Sequence, residues 1–179
     1  MKKTVFLLLM LFIASVCLAQ NVTTFMGIPV DGTKSAMIQK LKAKGFTYDV
    51  KNDCLEGEFN GDNVLIKVQT VNGKVWRIVI IATDDYDEAQ VKTRFNRLCQ
   101  QFERNPKYVS LFKTRSQEIG EDEDISYEMT VRSKQYEAGY LQDGDEMRCV
   151  WFKIAEVYGT YHIGIYYENS YNAANGEDL

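Results

Sequence analysis

The sequence predicts an α+β protein in which a helix followed by an antiparallel meander occurs twice. Two stretches with the apolar spacing of amphipathic helices, residues 33–44 and 84–104, are each followed by short alternating strands. Turn residues such as Asn, Asp and Gly separate those strands, which is typical of hairpins. The chain therefore divides into two repeats, residues 27–83 and 84–168, within one domain of residues 20–168.

The first 19 residues have the pattern of a secretory signal peptide, with two lysines, an apolar run and small residues at its end. This predicts an exported protein, periplasmic or extracellular, whose mature chain of roughly 160 residues begins at Gln20. Acylation at Cys17 is the alternative, but Val16 is bulkier than the small residue that such a site resembles. The apolar run is too short to predict a membrane-spanning helix, so no integral membrane segment is expected in the mature chain.

The net charge argues against a nucleic-acid partner. The whole chain has a formal net charge of −4, and removal of Lys2 and Lys3 with the signal peptide makes it −6. Affinity for phosphate backbones depends on clustered Lys and Arg, which this composition does not favour. Three cysteines remain, Cys54, Cys99 and Cys149. An odd number so far apart is not a disulfide framework, and buried free thiols are the expectation, although one disulfide stays possible.

The residues of the first helix are suited to starting it, packing it or ending it. Residues 20–29 are predicted to be extended, and Thr33 then caps the first turn. The buried side is formed by Met37, Ile38 and Leu41. Gly45 suits the left-handed position after the helix, with Phe46 in contact with Leu41 as in a Schellman motif.

Three hairpin turns, at Asn52-Asp53, Gly61-Asp62 and Asn72-Gly73, predict a four-stranded meander with one apolar face. In that register Glu56 lies opposite Lys67. The predicted core face collects Phe46, Tyr48, Val50, Leu55, Phe59, Val64, Ile66, Val68, Val75, Val79 and Ile81. Two residues conflict with it, because Arg77 falls on the core face and Trp76 on the polar one.

The second repeat begins with a helix over residues 84–104, which Asp85 and Glu88 are spaced to cap. Strands are predicted at residues 125–131, 135–141, 147–157 and 161–168, with hairpin turns at Asp143-Gly144 and Gly159-Thr160. Residues 169–179 are polar and are predicted to be a disordered tail.

Aromatic residues gather on the face of the sheet away from the predicted core. The candidate binding residues are Trp76, Tyr136, Trp151 and Tyr166. Trp and Tyr combine large apolar area with a hydrogen-bonding group, which suits them to binding a protein or glycan partner. The alternative is that these rings fill the interface between the repeats or lie under the N-terminal segment.

The order of elements resembles a known family. Gly32-Thr33-Lys34 leads into a helix with Ile38 and Leu41 that ends at Gly45-Phe46, and a meander follows. The same order of a helix and a meander is predicted again in residues 84–168. This resembles the β-lactamase-inhibitor-protein-like fold, shared with the SmpA/OmlA-type outer-membrane assembly modules and with small secreted bacterial proteins. The resemblance covers residues 27–168 and implies one curved antiparallel sheet with two helices on one face and an open face for binding. The cysteines depart from the inhibitor's pattern of a pair in each repeat, so no enzyme target is implied.

Catalytic and metal-binding motifs are missing from the sequence. His162 is the only histidine, so a histidine-rich metal site is excluded and a catalytic triad would have to use this residue. The acids at residues 84–88 suit a helix N-terminus, and those at 121–124 suit a solvated loop. We therefore expect no cofactor, no metal and no enzymatic activity. A small hydrolase using a carboxylate pair or His162, and an accessory protein of envelope assembly, are the alternatives.

Overall fold

The structure, a computed structural model, describes residues 21–112 and 117–173. Within these residues the protein is α+β, with three helices, an antiparallel sheet of eight strands and a separate two-stranded hairpin. The predicted fold class is confirmed at this level. The predicted signal peptide, residues 1–19, lies outside the described residues.

The helices are α1 (Lys34–Ala43), α2 (Glu88–Arg104) and α3 (Ile125–Thr130). The strands are β1 (Thr24–Phe25), β2 (Ile28–Pro29), β3 (Thr47–Asp49), β4 (Cys54–Phe59), β5 (Asp62–Val71), β6 (Lys74–Ala82), β7 (Tyr108–Ser110), β8 (Glu137–Gln142), β9 (Arg148–Val157) and β10 (Thr160–Asn169). The large sheet has the order β3-β4-β5-β6-β10-β9-β8-β7, and all neighbours are antiparallel. Strands β6 and β10 therefore meet at its centre.

Helix α1 begins and ends as predicted. The Thr33 side chain accepts a hydrogen bond from the Ala36 amide at 3.3 Å. At the other end, the Phe46 amide donates to the Leu41 carbonyl at 3.3 Å, and Gly45 has a φ of +102°. This is the Schellman geometry, which satisfies the last carbonyls of the helix.

Helix α2 starts later than predicted, because Asp87 and not Asp85 is its cap. The Asp87 carboxylate accepts from the Gln90 amide, while the Gln90 side chain accepts from the Asp87 amide. The predicted apolar stripe is buried, and it consists of Val91, Phe95, Leu98, Cys99 and Phe102.

The prediction of a strand at residues 125–131 is wrong, because these residues form helix α3. The Asp124 carboxylate accepts from the Tyr127 amide at 2.8 Å, so a local cap decides the conformation. Only Ile125 of this helix is buried. The alternating apolar residues that suggested a strand have no sheet face to cover, and β7 forms the sheet edge instead.

Two of the three turns predicted for the first meander, Asn52-Asp53 and Gly61-Asp62, are displaced. Asp49 pairs with Cys54 around a loop of residues 50–53, and Phe59 pairs with Asp62 around Asn60-Gly61. Glu56 lies opposite Leu65 and not Lys67. A displacement by two residues leaves the strand side chains on their predicted faces, because they alternate with a period of two. Val50 is the exception: it lies in the loop after β3 and is 78% exposed, so its assignment to the core face is wrong. The turn at Asn72-Gly73 pairs Val71 with Lys74, as predicted.

A β-bulge in the β5–β6 ladder explains the two residues that conflicted with the predicted faces. Gln69 pairs with Arg77 while Thr70 pairs with Val75, so Trp76 is the extra residue. A bulge shifts every later residue of its strand by one place. The prediction that Val79, Ile81 and Arg77 belong to the core face is therefore wrong. Ile78 and Ile80 pair with the core residues Val68 and Ile66 instead.

A cluster of aromatic rings packs between α2 and the second meander. Phe152 of β9 is fully buried and lies 5.0 Å from Phe95 and 5.6 Å from Phe102, measured between ring centres. Phe102 also stacks on Tyr140 of β8 at 4.9 Å. These contacts fix which face of β8 and β9 points toward α2.

The N-terminal segment is part of the packed structure. Phe25 is fully buried between Phe59 and Tyr167, and the Thr24 backbone exchanges two hydrogen bonds with the buried Gln142 side chain. At the other end, residues 169–173 were predicted to be disordered, yet Asn172 donates to the Val75 carbonyl at 2.9 Å. The rest of that tail, residues 174–179, lies outside the described residues.

No helix among the described residues combines the length and the apolar character needed to span a bilayer. Cys54, Cys99 and Cys149 are free thiols in the structure, as the odd and scattered set suggested.

Candidate binding face

Three of the four predicted binding residues lie on one face of the sheet. Tyr166 of β10 pairs with Trp151 of β9 on one side and with Val79 of β6 on the other. Residues directly opposite each other in a sheet point to the same side. Phe152, the next residue along β9, points toward α2, so Trp151 and Tyr166 lie on the other side, here named the Trp151 face.

Trp151 and Tyr166 stand side by side on this face. Their ring centres are 3.9 Å apart and their planes differ by 8°. Adjacent strands lie about 4.8 Å apart, so paired residues on neighbouring strands bring their rings into stacking contact. Gly164 makes room for the Tyr166 ring, because a Cβ there would lie 3.1 Å from the Tyr166 hydroxyl.

The bulge in β6 adds Trp76 to the same row through Arg77. The Arg77 guanidinium lies 3.9 Å from the centre of the Trp76 ring and 5.7 Å from that of Tyr166. Cations over aromatic faces at these distances are attracted by the ring quadrupole. Trp76, Arg77, Tyr166 and Trp151 thus form a continuous row across three strands, here named the aromatic ladder.

Glu168 holds two members of the aromatic ladder, Trp151 and Arg77, in place. Its Oε1 atom accepts a hydrogen bond from the Trp151 indole N–H at 2.7 Å and lies 2.6 Å from Nη2 of Arg77. The side chains of Arg77 and Glu168 are 24% and 15% exposed. A charge pair this sheltered holds its geometry better than an ion pair in open solvent.

A groove of about 300 Å³ lies beside the ladder. Trp151 is paired with Gly139 of β8 on the side away from Tyr166, and Gly139 has no side chain to cover the indole. The Leu111 side chain reaches over Gly139, where a Cβ would lie only 2.6 Å from Leu111 Cδ1. The lining residues are Leu111, Phe112, Glu137, Ala138, Gly139, Cys149, Trp151 and Glu168.

Tyr136, the fourth predicted binding residue, lies elsewhere. It is buried against α2, and its hydroxyl donates to Glu123 at 2.6 Å. Burial and then this hydrogen bond raise its pKa well above the ordinary value. The two-residue turn predicted at Asp143-Gly144 would pair Gln142 with Asp145, whereas Leu141 pairs with Cys149 around a longer loop. That odd displacement reverses the faces of β8, so the assignment of Tyr136 to the open face is wrong.

Cys149 lines the groove but is a poor nucleophile. Burial and then the charge of Glu168 raise the pKa of its thiol from 9.0 to about 11. Because the thiolate is the reactive form, we expect iodoacetamide to label Cys149 about a hundredfold more slowly at pH 8 than a cysteine in an unstructured peptide. Peptide mapping by mass spectrometry measures this rate, and labelling in urea is the control. Equal rates in the folded and unfolded protein would contradict the assigned environment.

The other candidates for chemistry lie away from the groove. His162 contacts Asp85 at 3.4 Å and Thr160 at 3.3 Å. Asp49, Cys54 and Glu56 could together reach one metal ion, but the Asp49 carboxylate already accepts hydrogen bonds from the Lys51 amide and the Asn52 side chain.

Comparison with protein-family models, with curated proteins and with solved structures finds no match to this chain.

Proposed function

We propose that the protein is an exported, non-enzymatic binding protein that engages a protein or glycan partner through its Trp151 face. The observation that carries this proposal is the aromatic ladder with the groove at its end. The ladder consists of Trp, Arg and Tyr side chains, and these are the residue types most enriched at interface hot spots. Export is supported by the composition of residues 1–19.

The architecture that we propose is that of the β-lactamase-inhibitor-protein-like fold, with repeats 27–83 and 84–168 and with α1 and α2 on one face of a curved sheet. The strand order supports it, because β3–β6 occupy one half of the sheet and β7–β10 occupy the other in reverse order. Side chains of both helices also belong to one buried cluster. This arrangement leaves the Trp151 face for a partner.

The double variant Trp76→Ala, Trp151→Ala tests the proposal. We expect it to keep its fold and to lose at least about tenfold in partner affinity, because truncating a hot-spot aromatic costs 2 kcal/mol or more. Circular dichroism monitors folding, and capture from envelope extract by the mature protein measures binding.

The matched control is Tyr127→Ala, Tyr158→Ala, which removes two exposed aromatic rings outside the ladder. Unfolding of the tryptophan variant would show that the rings are core residues, and unchanged capture would remove the ladder from the binding site. Stable co-purification with an outer-membrane complex would instead favour the envelope-assembly alternative.

A further inference from the structure

The groove beside Trp151 has an unusual distribution of charge. Of the lining residues that the structure describes, Glu137 and Glu168 are carboxylates and none is Lys, Arg or His. Leu111, Phe112, Ala138 and the Trp151 ring supply apolar walls. A ligand that fits this lining has an apolar stem and a positively charged end.

Glu168 lines the groove, and only one of its two carboxylate oxygens makes a side-chain contact in the described part of the chain. Both of its side-chain partners, Arg77 and the Trp151 indole, bind the same atom, Oε1. Among the described residues Oε2 has no protein partner. Because the carboxylate is already held in place by two contacts, a donor that binds Oε2 does not have to order it first.

The Trp151 ring offers its second face to the same space. Tyr166 covers the face toward β10, while on the β8 side Gly139 has no side chain and the Leu111 side chain reaches over it. The negative potential of an indole face attracts a guanidinium or ammonium group within about 6 Å. The Glu168 carboxylate and the indole face toward β8 therefore favour the same kind of ligand.

The lining also argues against a sugar as the occupant. Sugar hydroxyls both donate and accept hydrogen bonds, so sites for them are expected to offer both kinds of group. Here Glu137 and Glu168 only accept, and the indole N–H of Trp151 is already bound to Glu168. A positively charged group that only donates hydrogen bonds would satisfy both carboxylates.

We infer that the groove binds the guanidinium or ammonium end of an arginine or lysine side chain presented by a protein partner. This inference rests on the proposed function and specifies the partner's chemistry. The apolar stem of the side chain lies against Leu111, and its charged end lies between the Trp151 ring and the two carboxylates. The negative charge of the whole chain, −4, supports approach of a basic partner.

Lys153 is an internal competitor for this position. It is the direct cross-strand neighbour of Glu137, and its Nζ lies 5.9 Å from the centre of the Trp151 ring. Lys153 does not line the groove, yet its charge weakens the field of Glu137 there. Removing that charge should strengthen the binding of a cation.

The test uses the two indole N–H signals that the two tryptophans give in a nitrogen–proton NMR spectrum. A Trp76→Phe variant assigns them. The probe is the blocked peptide Gly-Gly-Arg-Gly-Gly, and its control has citrulline, the neutral isostere, in place of arginine. We expect the Trp151 signal to titrate at millimolar arginine peptide and to respond about tenfold more weakly to the citrulline peptide.

Protein variants give a second measurement. Glu137→Gln should weaken binding about threefold and Lys153→Met should strengthen it by a similar factor, since each alters one charge beside the groove. Glu156→Gln, an exposed acid on β9 outside the groove, is the control and should change nothing.

Three results would overturn the inference: no response to the arginine peptide, an equal response to the citrulline peptide, or a shift of the Trp151 signal by the neutral sugar N,N′-diacetylchitobiose. The last result would point to a glycan and would leave the proposed function standing. Failure of the proposed function is recognised separately, by unchanged partner capture in the double tryptophan variant.

Discussion

Replacing Phe152 with alanine is expected to lower the free energy of unfolding by about 3–5 kcal/mol, because the ring is removed from a core that cannot collapse around it. Phe152 is 0% exposed and has three aromatic neighbours. These are Phe95, Phe102 and Tyr140, at 5.0, 5.6 and 6.1 Å between ring centres. The substitution therefore removes aromatic contacts that join α2 to β8 and β9, the two strands that support the Trp151 face.

Urea unfolding followed by tryptophan fluorescence measures this change. Val157→Ala is the control on the same strand, since Val157 is 45% exposed, and we expect it to change stability by less than about 0.5 kcal/mol. If the two variants lose similar amounts of unfolding free energy, the Phe152 ring does not make the expected contribution to core stability.

Replacing Glu168 with alanine is the second substitution with a large expected effect, a loss of about 2–3 kcal/mol. The Trp151 indole loses its acceptor, and Arg77 is left in a sheltered site without its ion-pair partner. A partly buried charge without a partner costs more than the pair contributed. The same substitution should broaden or shift the indole signal of Trp151, because the hydrogen bond that orders the ring is gone.

Two comparisons make this prediction specific. Glu156→Ala removes an exposed acid from the neighbouring strand, and it should be near neutral. Arg77→Met combined with Glu168→Leu should recover part of the loss, because no charge then remains unpaired. A cost for Glu168→Ala no larger than that of Glu156→Ala would mean that the ladder does not depend on this carboxylate.

Local rules predicted the two ends of helix α1 correctly. Thr33, Gly45 and Phe46 have the cap roles expected of them, because caps depend on residues close in sequence. The apolar stripe of α2 was also predicted correctly. The start of α2 was not, because Asp85 and Asp87 are both suitable caps. The backbone bridge between Tyr86 and Tyr161 holds the chain extended between them, and Asp87 becomes the cap.

Long-range register was the main source of error. The turn at Asp143-Gly144 has the positive φ angles expected of it, yet the loop continues to Met147, and the faces of β8 reverse. Tyr136 was misplaced for that reason. No residue near it signals which face it occupies, because the answer depends on how Leu141 pairs with Cys149.

The aromatic ladder was predicted in part. Trp76, Trp151 and Tyr166 were selected because they fell on the face away from the core, and they do lie together. Arg77 and Glu168 were missed as members. The sequence did contain a signal for Arg77, since a charged residue on a predicted core face next to a misplaced Trp is what a bulge produces.

The central pairing of β6 with β10 has a consequence for the order of folding. Gly164 pairs with Ile81 and Glu168 with Arg77, so the middle of the sheet joins residues about 80–90 positions apart. Closing such a long stretch of chain makes folding slow. Until β10 arrives, β6 and β9 present open edges to solvent and to other chains. A chain emerging from its N-terminus thus completes its sheet only when its last strand is available, and the aromatic ladder, which spans that junction, forms last.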